Sequence, residues 1–256
     1  MPIPIRFEHD VAVLSLELGR GNAIDHAFID ALHGALDVVQ QSDARAAVIT
    51  GQGRVFCGGL DLVTIHAFNR PAIERFVDAF EGMFRRVFAF DRPLVAAVNG
   101  HALAGGAILA MACDLRVMAD GPFQIGVNEV RLGIPFPAAA FEIVRQATPG
   151  PARRAVMLQG KRLSPGEAKA AGIVQRVAGD QGVVADALEE ARAFAAGGPA
   201  AVRAVKADLT APVLARIDAT ATARRARFLD AWFGAEARAR VTALRDELAA
   251  KQRPVG

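Results

Sequence analysis

Tyrosine is missing from this 256-residue chain, tryptophan occurs once and cysteine twice. Cys57 and Cys113 form no CxxC pair, and no His/Cys cluster has metal-ligand spacing. A disulfide scaffold and a zinc module are therefore excluded, and no metal is expected. Two isolated thiols suit a reducing compartment, so a cytoplasmic location is expected. Met1 is followed by Pro2-Ile3-Pro4, not by a basic segment and an apolar run, so no signal peptide is expected. No apolar stretch reaches membrane-spanning length, and the alanine-rich run around Gly105 stops at Asp114, so no membrane partner is expected. Lysine is also scarce, with 4 among the 30 basic residues. The arginines are spread along the chain, often alternating with acids, and form no stripe interleaved with aromatics. That distribution argues against nucleic acid as a partner. A net charge of +3 suits a polyanionic small ligand instead.

What is present is enough for a sizeable core, at 52% hydrophobic and 22% charged residues. Residues 11–18 form a β-type run broken by Arg20-Gly21-Asn22. Residues 26–41 have helical spacing, with Phe28, Leu32, Ala35, Leu36 and Val39 on one face. Residues 46–51 and 94–98 are short apolar runs of buried-strand character. Residues 73–90 predict a long amphipathic helix, and its Phe76, Phe80, Phe84 and Phe88 fit core packing as well as the wall of a ligand pocket. Residues 105–113, 138–146, 152–158 and 165–171 predict shorter helices, and 114–119 and 173–177 predict strands. Strands alternating with helices imply an α/β architecture. After Gly197-Gly198-Pro199 the strand signal stops. Residues 200–251 are helical and rich in Arg and Ala. Their apolar face needs the core or another subunit to cover it.

Three segments carry chemistry: Phe56-Cys57-Gly58-Gly59-Leu60-Asp61-Leu62, Asn99-Gly100-His101-Ala102-Leu103-Ala104-Gly105-Gly106, and Ile125-Gly126-Val127-Asn128-Glu129-Val130-Arg131-Leu132-Gly133-Ile134-Pro135. Taken singly, each has an ordinary structural explanation. Gly58-Gly59 permits close approach of backbone to a ligand, or simply turns the chain. Gly105-Gly106 opens a helix whose free N–H groups favour negative charge, or lets that helix pack tightly. It is neither a dinucleotide fingerprint nor a P-loop. Glu129 is a lone carboxylate in an apolar stretch, a placement that also suits a paired structural group. Cys57 and Cys113 have no adjacent base and are expected to be small core hydrophobes.

In combination, order and spacing, these segments resemble the signature regions of the crotonase (enoyl-CoA hydratase/isomerase) family. The resemblance extends to residues 11–18, the Asn22-Ala23 turn and the stretch from Leu158-Gln159-Gly160 to Ala171-Gly172-Ile173-Val174. It implies a crotonase-type spiral of ββα units over residues 1–199 and a helical C-terminal trimerisation region over 200–256. A homotrimer or a dimer of trimers is the implied assembly. It also implies an acyl-CoA substrate, and no cofactor beyond that substrate's own coenzyme A moiety. In the family the residue before the loop aspartate, here Leu60, and the glycine opening the helix, here Gly105, donate backbone N–H groups to the thioester oxygen. Donors of this kind stabilise charge that develops in the transition state. Asp61 is expected to cap the chain locally. Arg20, Ala23, Gly58 and Asp61 are the positions implied to lie against the CoA thioester, although the family's usual lysine in the first turn is missing. Phosphate contacts are alternatively expected from the tail of a neighbouring subunit, near Arg224, Arg225 or Arg227. His101 is expected to be a spacer.

The family's hydratases carry two glutamates. One lies three residues beyond the oxyanion glycine, where this chain has Ile108. The other corresponds to Glu129. Adding water calls for an activated nucleophile and a proton donor, whereas one carboxylate suffices to move a proton from C2 to C4 of a 3-enoyl thioester. The Ile-Gly-Val-Asn-Glu segment resembles the isomerase branch. The expectation is Δ3-Δ2-enoyl-CoA isomerase chemistry, with an apolar neighbour such as Ile108 raising the Glu129 pKa. Two alternatives stay open. A hydratase or other lyase would recruit a second acid such as Glu142, although Glu142 reads more naturally as a solvated helix residue. A non-catalytic acyl-CoA-binding protein would use the same fold.

Overall fold

The computed structural model describes residues 1–179 and 182–250. Its strands are β1 (Ile5–Glu8), β2 (Val11–Leu16), β3 (Ala46–Gly51), β4 (Val55–Cys57), β5 (Leu94–Val98), β6 (His101–Leu103), β7 (Leu115–Met118), β8 (Ile125–Gly126) and β9 (Arg176–Val177). Its helices are α1 (His26–Gln41), α2 (Leu62–Ile65), α3 (Arg70–Phe88), α4 (Gly105–Ala112), α5 (Ala138–Ala147), α6 (Gly150–Gln159), α7 (Pro165–Ala170), α8 (Val183–Ala195), α9 (Pro199–Phe233) and α10 (Ala235–Ala250).

From β3 onwards, successive strands are dealt alternately to two sheets. β1-β2-β3-β5-β7-β9 form a six-stranded sheet, parallel except for the β1-β2 pair, and β4-β6-β8 form a three-stranded one. After the β1-β2 pair and α1, each turn of the chain contributes one strand to the large sheet, one to the small sheet and then helix. This is the expected spiral of ββα units. β3 and β5 are almost wholly apolar because both faces of the large sheet are covered. One face meets the alanine-rich side of α8, where Ala187, Leu188, Ala191 and Ala195 pack on Val11, Val48, Val95 and Val117. The other meets α1, α3 and the small sheet in the main core.

Two expectations are corrected. The strand expected over 173–177 is confined to Arg176 and Val177. The amides of Ile173 and Val174 both donate to the Ala168 carbonyl, so these residues close α7 instead of pairing with β7. The strand expected over 11–18 ends at Leu16, where the chain turns towards the buried Asn22.

The helical region begins at Pro199. α9 buries Val213, Ile217, Phe228, Leu229 and Trp232 against the core, largely over α3 and α5. Its first half is tied down by Lys206, whose Nζ lies 2.6 Å from Asp114 Oδ2 and 2.9 Å from the Arg92 carbonyl. The chain then reverses at Gly234, and α10 crosses α2 and the 3-10 turn Glu129–Leu132. Residues 251–256, part of the expected C-terminal region, lie outside the described residues.

Candidate active site

The first wall of the site is a backbone ladder. Gly58 N donates to Gly21 O at 2.8 Å, Ile24 N to Gly59 O at 2.8 Å, and Asp61 N to Ile24 O at 3.0 Å. In an extended segment alternate residues face opposite edges. Gly59 and Asp61 therefore bond to Ile24, and the Leu60 amide is left on the other side. It donates to no acceptor among the described residues. Asn22 fixes this ladder to β4, accepting from Leu18 N and donating to Phe56 O, both at 2.9 Å. Asp61 is the expected cap: it accepts from Val63 N and Thr64 N at the start of α2.

The second wall is the start of α4. Ala104 adopts φ 49° and ψ −124°, a left-handed conformation costing on the order of 1–3 kcal/mol in a residue with a Cβ. The Gly105 amide that follows likewise has no acceptor among the described residues, although Ala104, and not Gly105, borders the inner cavity. A Cβ at Gly106 would stand 2.0 Å from Cys57 O, so α4 abuts the end of β4 directly. A Cβ at Gly59 would stand 3.2 Å from Gly105 N and 2.9 Å from Leu103 O. Glycine at these positions is what brings the Leu60 loop and the Gly105 amide to one place.

The third wall carries the carboxylate. Glu129 opens the short 3-10 turn that Gly133 closes in the left-handed region at φ 71°. The residue as a whole is half-buried, but its Oε2 is sealed from water and has no hydrogen-bond partner. Burial pushes the Glu129 pKa up to about 7, against the opposing pull of its own and the Asn128 backbone amides. Oδ1 of the adjacent Asn128 is also buried without a partner. Orphaned buried polar atoms of this kind typically cost about 1–3 kcal/mol each, and two together mark a place a ligand or water completes.

These walls enclose an inner cavity of about 370 Å³ that Leu60, Ala104, Ile108, Asn128 and Glu129 share with apolar side chains. Ile108, at 1% exposure, stands where a second carboxylate was sought. An outer cavity of about 590 Å³ adjoins it, and Gly58, Leu60, Leu103 and Arg162 line both. Arg20, Ala23, Gly58 and Asp61, the four positions expected near CoA, all face the outer one. His101 lines it too, its Nδ1 accepting from Gln124 N at 3.2 Å.

Glu142 corrects an expectation. It is not solvated but 3% exposed, because α9 covers it. Its Oε2 lies 2.9 Å from Arg216 Nε and 2.7 Å from Arg145 Nη2, and it is absent from the cavity wall. Cys57 and Cys113 are buried, and burial drives both thiols up to about 12. Of the amphipathic helix α3, only Phe80 reaches the inner cavity; Phe76 and Phe84 belong to the core.

Several site residues escaped sequence reasoning. Arg162 is one unremarkable arginine among many. Asn128 lay inside a quoted motif, and an amide beside the carboxylate was its signal. Leu244, Glu247 and Leu248 reach the inner cavity from α10, which the pattern alone did not place over the site. Arginines of α10 fasten it there. Arg240 Nη1 donates to Arg131 O and Arg238 Nη1 to His66 O, both at 3.1 Å, and Arg245 Nη1 lies 3.1 Å from His66 Nδ1.

Comparison with known proteins points the same way. Residues 6–243 match the family described as enoyl-CoA hydratase/isomerase. A putative enoyl-CoA hydratase of Thermus thermophilus is 36% identical, over 73% of each chain. Among solved structures, the apo enoyl-CoA isomerase of Mycobacterium tuberculosis is similar with a TM-score of 0.82 and 33% identity, over 89% of this chain and 99% of that one. Human mitochondrial Δ3-Δ2-enoyl-CoA isomerase is similar with a TM-score of 0.90 and 25% identity, over 99% of this chain and 100% of that one.

Proposed function

The chain belongs to the enoyl-CoA hydratase/isomerase family, and we propose that within it this protein is a Δ3-Δ2-enoyl-CoA isomerase whose single proton shuttle is Glu129. The observation that carries this reading is that Glu129 shares its cavity with Ile108, from the wall formed by α4. A carboxylate with a pKa of about 7 takes and returns a proton at neutral pH. An isoleucine opposite it activates no water.

In this reading the Leu60 and Gly105 amides hold the thioester oxygen of a 3-enoyl-CoA. Glu129 removes a proton from C2, and the electron pair passes into a dienolate whose charge rests on that oxygen. Reprotonation at C4 by the same carboxyl leaves the double bond between C2 and C3 and returns Glu129 to its starting state. The paired amides serve the charge-bearing intermediate more than the substrate, which is what lowers the barrier. Arg20, Ala23, Gly58 and Asp61 border the CoA portion. A homotrimer or dimer of trimers built through the helical region, working in the cytoplasm, completes the proposal.

Hydration is the second reading, favoured by the names of relatives such as the Thermus protein. It needs a second acid. Glu142 is committed to Arg216 and Arg145, and the carboxylate that shares the inner cavity with Glu129 is Glu247 of α10.

The test is turnover of 3-enoyl-CoA and 2-enoyl-CoA side by side, with Glu129→Gln as control. Isomerisation lost in the variant, with little hydration in either protein, is the expected result. Efficient hydration of the 2-enoyl thioester would replace this reading with the second. Tight acyl-CoA binding without any turnover would leave a binding protein.

A further inference from the structure

The outer cavity carries more positive charge than its own acids answer. Arg20 and Arg162 line it, beside a His101 whose pKa is lowered by burial and by the nearby Arg54 and Arg162. Arg54, stacked 5.3 Å from the centre of the Phe123 ring, stands close enough to act with Arg162 on His101. The acid on that wall is Asp61, and its oxygens are already occupied by Val63 N, Thr64 N and Thr64 Oγ1. Arg162 differs from its neighbours in being the charged residue common to both cavities. Like that of Arg20, its side chain makes no hydrogen bond or ion pair with any described residue. The tail arginines expected to meet phosphate are engaged within their own chain. Arg224 lies 3.7 Å from the centre of the Phe141 ring, Arg225 pairs with Asp78 at 2.9 Å, and Arg227 Nε donates to Ala223 O at 3.3 Å.

We propose that Arg162 is a specificity-determining residue that recognises an oxyanion carried by the thioester ligand. The inference rests on the acyl-CoA reading above and adds to it the residue that selects the ligand's charge. A guanidinium offers a planar fork of donors matched to phosphate or carboxylate. One that pairs with no described residue, at the junction of the inner cavity and the cationic mouth, can take either. Two parts of a ligand supply that chemistry: a phosphate of the CoA carrier, reached through the outer cavity, and a carboxylate on the acyl group, reached through the inner one.

Calorimetric binding of unreactive saturated thioesters tests this without reference to turnover. The ligands are butyryl-CoA, glutaryl-CoA and butyryl-pantetheine, compared on the wild-type protein and on Arg162→Gln. Arg162 is exposed, so the variant is expected to fold. The expected result is a loss of about 10- to 100-fold on an anionic ligand, as for a charge-assisted hydrogen bond, with butyryl-pantetheine unaffected. Equal losses on butyryl-CoA and glutaryl-CoA assign the anion to the carrier, and a loss confined to glutaryl-CoA assigns it to the acyl group. An unchanged affinity for all three ligands, or an equal loss that includes butyryl-pantetheine, overturns the proposal. Failure of every CoA thioester to bind the wild-type protein would instead remove the acyl-CoA reading on which it stands.

Discussion

His66 Nε2 lies 2.9 Å from Thr242 Oγ1, joining the segment after α2 to α10. The other ring nitrogen lies 3.1 Å from Arg245 Nη1, so the neutral ring with its proton on Nε2 fits both partners. Burial, then Arg238 and Arg245, lower the His66 pKa, and Asp246 opposes them. A histidine with a lowered folded pKa binds fewer protons folded than unfolded. Its contribution is present above the unfolded value of 6.5 and is lost as pH falls through the folded one. Amide exchange in residues 235–250, corrected for intrinsic rates, is expected to quicken between pH 7 and pH 5. In His66→Ala it should be fast at both. Equal protection of the wild-type helix at both values would remove His66 as its latch.

Glu129 works in the opposite sense. Its carboxyl rises from 4.5 to about 7 on folding, so the folded state holds the proton more tightly and stability falls as pH rises from 4.5 through 7. Glu129→Gln is expected to be more stable than wild type at pH 8, by on the order of 3 kcal/mol, and no more stable at pH 4. Denaturant melts at the two values check this. The isomerase rate should rise with pH through about 7, because only the carboxylate removes a proton.

Gly59 holds the Leu60 loop at φ 93°, with its missing Cβ facing Leu103 O and Gly105 N. Gly59→Ala should displace one amide from the thioester oxygen and lower kcat by about 10²–10³. Unimpaired turnover by a folded Gly59→Ala protein would argue that these amides do not act together.

Glu142 is structural in this account. Its carboxylate is buried, but Arg216 and Arg145 are 39% and 35% exposed, so solvent screens part of the pair. Glu142→Ala is expected to cost about 1–3 kcal/mol and to leave kcat unchanged. A folded variant with kcat sharply reduced would return Glu142 to the chemistry.

Much of this was legible in the chain, for identifiable reasons. α1, β3 and β5 begin and end where periodicity and apolar runs place them, because burial on one face or both writes itself into the pattern. The three glycine-bearing loops were legible because close backbone approach admits few other residues. α8 went unread: the side it packs on the large sheet is mostly alanine, which makes a weak apolar stripe. The small sheet escaped because its strands are two or three residues long. Glu142 was misread because a helix pattern does not say what covers its polar side. Arg162 lies inside the stretch from Leu158 to Val174 but is one arginine among many there and elsewhere; only tertiary structure sets it between the two cavities.

The most direct measurement is the fate of deuterium at C2 of a 3-enoyl-CoA during isomerisation in ordinary water. A single carboxyl that lifts a proton from C2 and delivers it to C4, in a cavity where Glu129 Oε2 is sealed from water, should carry part of the label to C4 of the product. Product formed with C4 hydrogen drawn wholly from solvent, at a rate that survives Glu129→Gln, would contradict the account.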